Sequence, residues 1–264
     1  MNKLFSKINL SKTDIAAAVV LILSFGFLLW TAFTDGTISD EAFYITIPMR
    51  LINGDGLFTD EWHLSQLSAV ILYPLIKLFF TVTGGTQGII LYMRLLFVIM
   101  QTVTGAIIYS SLKKNGFSSI LISVSFTLFS VINLNTLSYN TMGVSLLITL
   151  ICVIYSTFEN PSAAKMLISG ALIALFILCQ PFGVILYGIY VATVLTYFIV
   201  KKTKDIEIPY VLKLKSLLLT VAGILPVLAF FFYLLSRLAP SSSRRYNERN
   251  HMQKGDGRHE RKLR

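Results

Sequence analysis

Charge is what this chain has least of: only 14% of its 264 residues are charged, whereas 55% are hydrophobic and the mean hydropathy is +0.70. Soluble domains hold about 45 to 50% apolar residues, so the composition excludes one and indicates a polytopic membrane protein. Cysteine is scarce as well. Cys152 and Cys179 lie in separate apolar runs, which excludes a disulfide framework and a thiolate metal site and leaves both as small buried hydrophobes. A Walker-type glycine-rich loop, HExxH, GxSxG and a CxxC pair are all absent. Their absence removes the P-loop nucleotide, zincin, serine-hydrolase and dithiol chemistries. The stretch Asp55 to Glu61 lacks the alternating oxygen ligands of a calcium loop.

What the chain does have is long hydrophobic runs, at 14–33, 66–82, 89–112, 117–134, 141–158, 163–179, 182–200 and 214–236. Ile15 to Phe33 is long enough to cross a hydrocarbon core of about 30 Å at about 1.5 Å per helical residue. It lacks a small-residue cleavage site, so it reads as a retained first helix and not as a signal peptide. The run 66–82 contains Pro74 and Lys77 and ends in Thr83-Gly84-Gly85-Thr86, which predicts a re-entrant or interfacial segment.

The net charge of +10 does not point to nucleic acid, because the basic residues sit in short clusters between the apolar runs and in the tail. Such clusters report topology. If the N-terminus with Lys3, Lys7 and Lys12 is cytoplasmic and 66–82 does not cross, seven spans remain. Lys113-Lys114, Lys165 and the cluster Lys201 to Lys215 then lie inside and the acidic loop 34–65 lies outside. A crossing at 66–82 would invert every later cluster. The expected architecture is therefore all-α, a polytopic transmembrane helical bundle over 1–237. Beyond it, residues 238–264 form a basic, nearly apolar-free tail that cannot build a core, and that reads as disordered or as a shifted reading frame.

The acids cluster between Asp35 and Glu61, and Ser39-Asp40-Glu41-Ala42-Phe43-Tyr44 is the segment with most chemical content. Ser39 is a good N-cap and places Asp40 and Glu41 in a first helical turn. Phe43, Ile47 and Leu51 recur at helical spacing, which predicts a short helix lying apolar side down on the membrane surface, ended by Asn53-Gly54-Asp55-Gly56. The carboxylates either cap that helix, act as a general base, or help to hold a divalent cation beside a phosphate. Arg94 opens a long apolar run, where it either snorkels to the interface or is paired, and its planar fork suits a phosphate. Other polar candidates on the same face are His63 and Gln66 at the end of the loop, Tyr139 and Asn140 in the run Asn133 to Asn140, and Gln180 before Pro181. Each has a plainer reading as a surface residue or a helix connection.

With these residues in view, the layout resembles the N-terminal part of GT-C glycosyltransferases that use polyprenyl-phosphate sugars, such as protein O-mannosyltransferases and aminoarabinose transferases. In that family a first span leads to an outer loop with an Asp-Glu pair and surface-lying helices, a place held here by Asp40-Glu41. The resemblance implies Asp40 as catalytic carboxylate, Arg94 as a contact to the donor phosphate, and His63 or a neighbour in place of a basic residue. Asn140 stands where the family has a second acid. It also implies a polyprenyl-phosphate-linked sugar as donor, a lipid, protein or glycan acceptor, membrane lipids as surroundings, and a bacterial plasma membrane in the cell envelope. A divalent cation is left open. Two further readings stand beside it: a multi-span transporter, for which the break Gln180-Pro181-Phe182-Gly183 is the one argument, and an inactive glycosyltransferase fragment.

Overall fold

The computed structural model describes residues 11–36, 39–55, 66–129, 134–203 and 207–238. In chain order the helices are α1 (Lys12–Thr34), α2 (Ser39–Asn53), α3 (Gln66–Thr83), α4 (Ile89–Leu112), α5 (Phe117–Thr127), α6 (Tyr139–Glu159), α7 (Ala163–Cys179), α8 (Gly183–Thr203) and α9 (Leu214–Leu238). Short 3-10 turns follow α4 and precede α9, and the described residues contain no strand. Five helices, α1, α4, α6, α8 and α9, are long and apolar enough to cross a membrane, so the chain is an integral membrane protein by length and composition.

The sequence expectation of seven spans meets two shorter helices. The apolar pattern over 117–134 predicts a full crossing, whereas α5 stops at Thr127 after 11 residues, about 16 Å of helix. The side chain of Gln101 then donates to the Phe129 carbonyl at 2.6 Å, tying the chain to α4 just after its helix ends. Helix α7 has 17 residues, about 26 Å.

The packing inverts the pattern of a soluble bundle. Large apolar side chains such as Ile22, Leu23, Trp30, Ile185 and Ile199 point outward, while Ser24, Ser123, Thr127, Ser169 and Thr220 are buried between helices. Lipid tails are as apolar as leucine, so helices gain little by hiding leucine from them; close contact between small residues and hydroxyl-to-carbonyl bonds hold the bundle instead. At the α7–α9 crossing, a Cβ on Gly170 would strike the Thr220 backbone and one on Gly223 would strike the Leu167 carbonyl. Ser123 donates to the Gly105 carbonyl at 2.6 Å where α5 meets α4.

The helix ends sort into two sets. At one, the C-termini of α1, α7 and α9 meet the N-termini of α4 and α6, and α2 and α3 lie against them. The first half of α3 packs through Ala69 and Val70 with Leu178, Phe231 and Leu234, and its middle packs through Leu72 and Ile76 with Met93, Phe97 and Met142. Helix α3 thus packs against both apolar clusters at this end. The apolar face of α2 also meets protein and not lipid: Ile47 and Leu51 join one cluster with α3, α7 and α9, and Ile45 joins the other with α3, α4 and α6. The opposite end carries Lys12, Lys113, Lys114, Lys165, Lys213 and Lys215.

Candidate functional site

Neighbouring residues on an α-helix point about 100° apart, and the first turn of α2 uses that angle to separate its two carboxylates. Asp40 is exposed, whereas Glu41 is 1% exposed and turned toward the bundle. Its partner is Arg94, 4% exposed in the second turn of α4. Nε of Arg94 donates to Glu41 Oε1 at 3.0 Å and Nη2 to Oε2 at 2.7 Å, the bidentate fork that arginine makes with a carboxylate.

The remaining donors of Arg94 close the end of α1. Nη1 donates to the carbonyls of Ala32 at 3.2 Å and Asp35 at 2.8 Å, and Nη2 to that of Gly36 at 2.8 Å. The last carbonyls of a helix lack intrahelical donors and carry the negative end of its dipole, so a cation there satisfies both needs. All of the guanidinium's five N–H groups therefore have protein acceptors, and a phosphate would reach Arg94 only by replacing one of them. One side chain fastens α1, α2 and α4 together and fixes where Asp40 emerges.

A second set of polar contacts reaches this junction from α6 and α7. Asn135 donates to Asp35 Oδ2 at 2.6 Å, anchoring the segment that leads into α6. Ser138 then caps α6 in a reciprocal box with Thr141, which sets Tyr139 and Asn140 at the helix start. The Tyr139 ring meets Tyr44 of α2 edge to face at a centroid distance of 5.6 Å. Burial, together with the Tyr139 phenol hydrogen-bonded to it and the charge of Asp40, pushes the Tyr44 phenol up to about 12. Gln180, at the C-cap of α7, donates to Asn140 Oδ1 at 3.0 Å. Gly143 leaves the space for it, since a Cβ there would lie 2.8 Å from the Gln180 Cγ.

Asp40, Glu41, Arg94, Tyr139, Asn140 and Gln180 are thus brought to one end of the bundle. His63 and the side chain of Gln66 lie outside the described residues. Two members of the junction were not among the sequence candidates, Asp35 and Tyr44. Their signal is weak: Asp35 is one acid among several in the loop 34–65, and nothing local singles out Tyr44 beside Phe43. Arg94 carries a signal of its own, since an arginine at membrane depth is either paired or snorkels, but nothing local names Glu41 as its partner.

The tight turn Gln180 to Gly183 joins α7 to α8, with the Gly183 amide donating to the Gln180 carbonyl at 2.8 Å; it interrupts no span. Among the described residues no group of three His, Cys, Asp or Glu side chains could hold a metal ion. What the arrangement offers chemically is an exposed carboxylate in a first helical turn, at the same end as phenol and amide groups able to bond hydroxyls. Comparison with protein-family models, curated proteins and solved structures found no match.

Proposed function

We propose that this chain is a membrane glycosyltransferase of the GT-C type, which moves a sugar from a polyprenyl-phosphate donor to a lipid, protein or glycan acceptor at the membrane face bearing Asp40. The observation that carries the reading is the separation of the two adjacent carboxylates: Glu41 is buried on Arg94, which leaves Asp40 exposed and held in place for chemistry. In this reading seven crossings are made by α1 and α4 to α9, with α2 and α3 at the outer face of a bacterial plasma membrane and the N-terminus in the cytoplasm. The lysines at the opposite end support that orientation.

The step runs with inversion. Asp40 takes the proton of an acceptor hydroxyl, the acceptor oxygen bonds to the anomeric carbon, and the bond from that carbon to the phosphate oxygen breaks, its electron pair leaving with polyprenyl phosphate. Tyr44, Tyr139, Asn140 and Gln180 supply hydrogen bonds to sugar hydroxyls at the same face. Arg94 serves the site by position.

The test is release of polyprenyl phosphate in proteoliposomes supplied with synthetic polyprenyl-phosphate mannose or aminoarabinose. Asp40→Asn is expected to lower the rate by about 10²-fold or more while leaving thermal stability unchanged. Equal rates for the variant would remove Asp40 from the role. Solute accumulation with no lipid-linked sugar present would replace the reading with transport.

A further inference from the structure

The bundle also contains a cavity of about 220 Å³ between α6, α7, α8 and α9. Its walls are almost wholly apolar, with Leu150, Ile173 and Leu186 among them. The few hydroxyls that reach it are already bonded within the protein. Tyr187 pairs with Thr220 at 3.2 Å, Tyr190 donates to the Val211 carbonyl at 2.9 Å, and Ser169 donates to the Lys165 carbonyl at 2.9 Å. Such a lining makes no demand for a polar ligand and gives water no partners.

The mouth opens sideways. Two lining residues, Ile151 of α6 and Leu186 of α8, are 53% and 44% exposed, on faces that meet hydrocarbon when the helices span a bilayer. Val211, in the 3-10 turn Tyr210–Leu212, lines the cavity toward the lysine-bearing end. Just beyond it stand Lys213 and Lys215, both exposed. Lys165 at the same end is already committed to the Ser156 and Asn160 carbonyls, and Glu207 is the acid that precedes the turn.

We infer that this cavity takes one acyl chain of an anionic glycerophospholipid whose headgroup lies at Lys213 and Lys215. Charge complementarity selects the occupant. A dry, laterally open slot suits a hydrocarbon chain, and the lysine pair at its polar end favours a negative headgroup over a zwitterionic one, as basic pockets between membrane helices do. The site is independent of the glycosyltransferase reading, because it needs only that this end lies at a membrane–water interface.

The experiment uses the full chain in maltoside micelles, with dioleoyl phosphatidylglycerol or dioleoyl phosphatidylcholine added, read by native mass spectrometry and thermal melting. Retention of phosphatidylglycerol is expected to exceed that of phosphatidylcholine by on the order of tenfold, with a matching rise in melting temperature. Lys213→Glu with Lys215→Glu is expected to remove the preference, and Lys213→Arg with Lys215→Arg to keep it. Ile173→Phe, which grows into the cavity, is expected to keep the lipid-free melting temperature and lose the lipid-dependent rise. Equal retention of the two lipids overturns the inference. So does an unchanged rise in Ile173→Phe, or a dimer that Ile173→Phe dissociates, since the slot would then hold a second copy.

Discussion

The two ends of this bundle both carry ions, but they handle them in opposite ways. At the α2 end, Arg94 and Glu41 are 4% and 1% exposed and share a bidentate bridge that also closes three backbone carbonyls. At the lysine end, Lys114 meets Glu159 at 2.9 Å with side chains 68% and 27% exposed. Desolvation makes a buried ion depend on its partner, whereas water and salt stand in for the partner of an exposed one. The first pair builds structure, and the second adds little to it.

Substitutions can break or sharpen that contrast. Arg94→Met strands Glu41 and three carbonyls, and is expected to cost about 3 to 5 kcal/mol, read as loss of folded protein or protease resistance in micelles. Combining it with Glu41→Met should restore much of that stability, because the pair is worth more together than either half alone; a double variant as poor as Arg94→Met would show no coupling. Next in size, Glu41→Gln should cost about 1 to 3 kcal/mol by weakening the charge-assisted bonds, while Asp40→Asn, one residue away, leaves the melting temperature unchanged.

Gln180→Ala removes the bond to Asn140 and should cost about 1 kcal/mol, detectable as a small downward shift in melting. Lys114→Ala should cost about 0 to 1 kcal/mol and less at high salt; a loss as large as that of Arg94→Met would erase the distinction between the ends. The smallest effect concerns pH. The Tyr44 phenol is raised to about 12 from 10.0, so the folded state keeps a proton that the unfolded chain loses. Stability from this group is therefore full below about pH 10 and falls as the pH rises toward 12. Tyr44→Phe should flatten that part of a pH–melting curve.

Much of the architecture was legible in the composition and charge pattern. The bounds of α4 and α7 follow the apolar runs, the lysine clusters collect at one end, and Pro74 with the Thr83-Gly84 ending marks α3 as unlike its neighbours. Helix α5 ends at Thr127 although the apolar run continues past it, because hydropathy cannot distinguish a helix from an apolar connection. The α2 face was read as lipid-facing because leucine and isoleucine suit protein and lipid alike.

Hydropathy and charge, which act through solvent and need no knowledge of neighbours, determined that this is a helical membrane protein, roughly where its helices lie, and that an Asp-Glu pair follows its first span. Only the tertiary structure decided which of those carboxylates is available. Helix geometry turns Glu41 toward Arg94, 53 positions further along the chain, and Asp40 away from it, and no local pattern reports a contact across that separation. The same holds for Tyr44 with Tyr139 and Asn140 with Gln180, because hydrogen bonds and ring contacts act only within a few ångströms and exist once the helices have been packed.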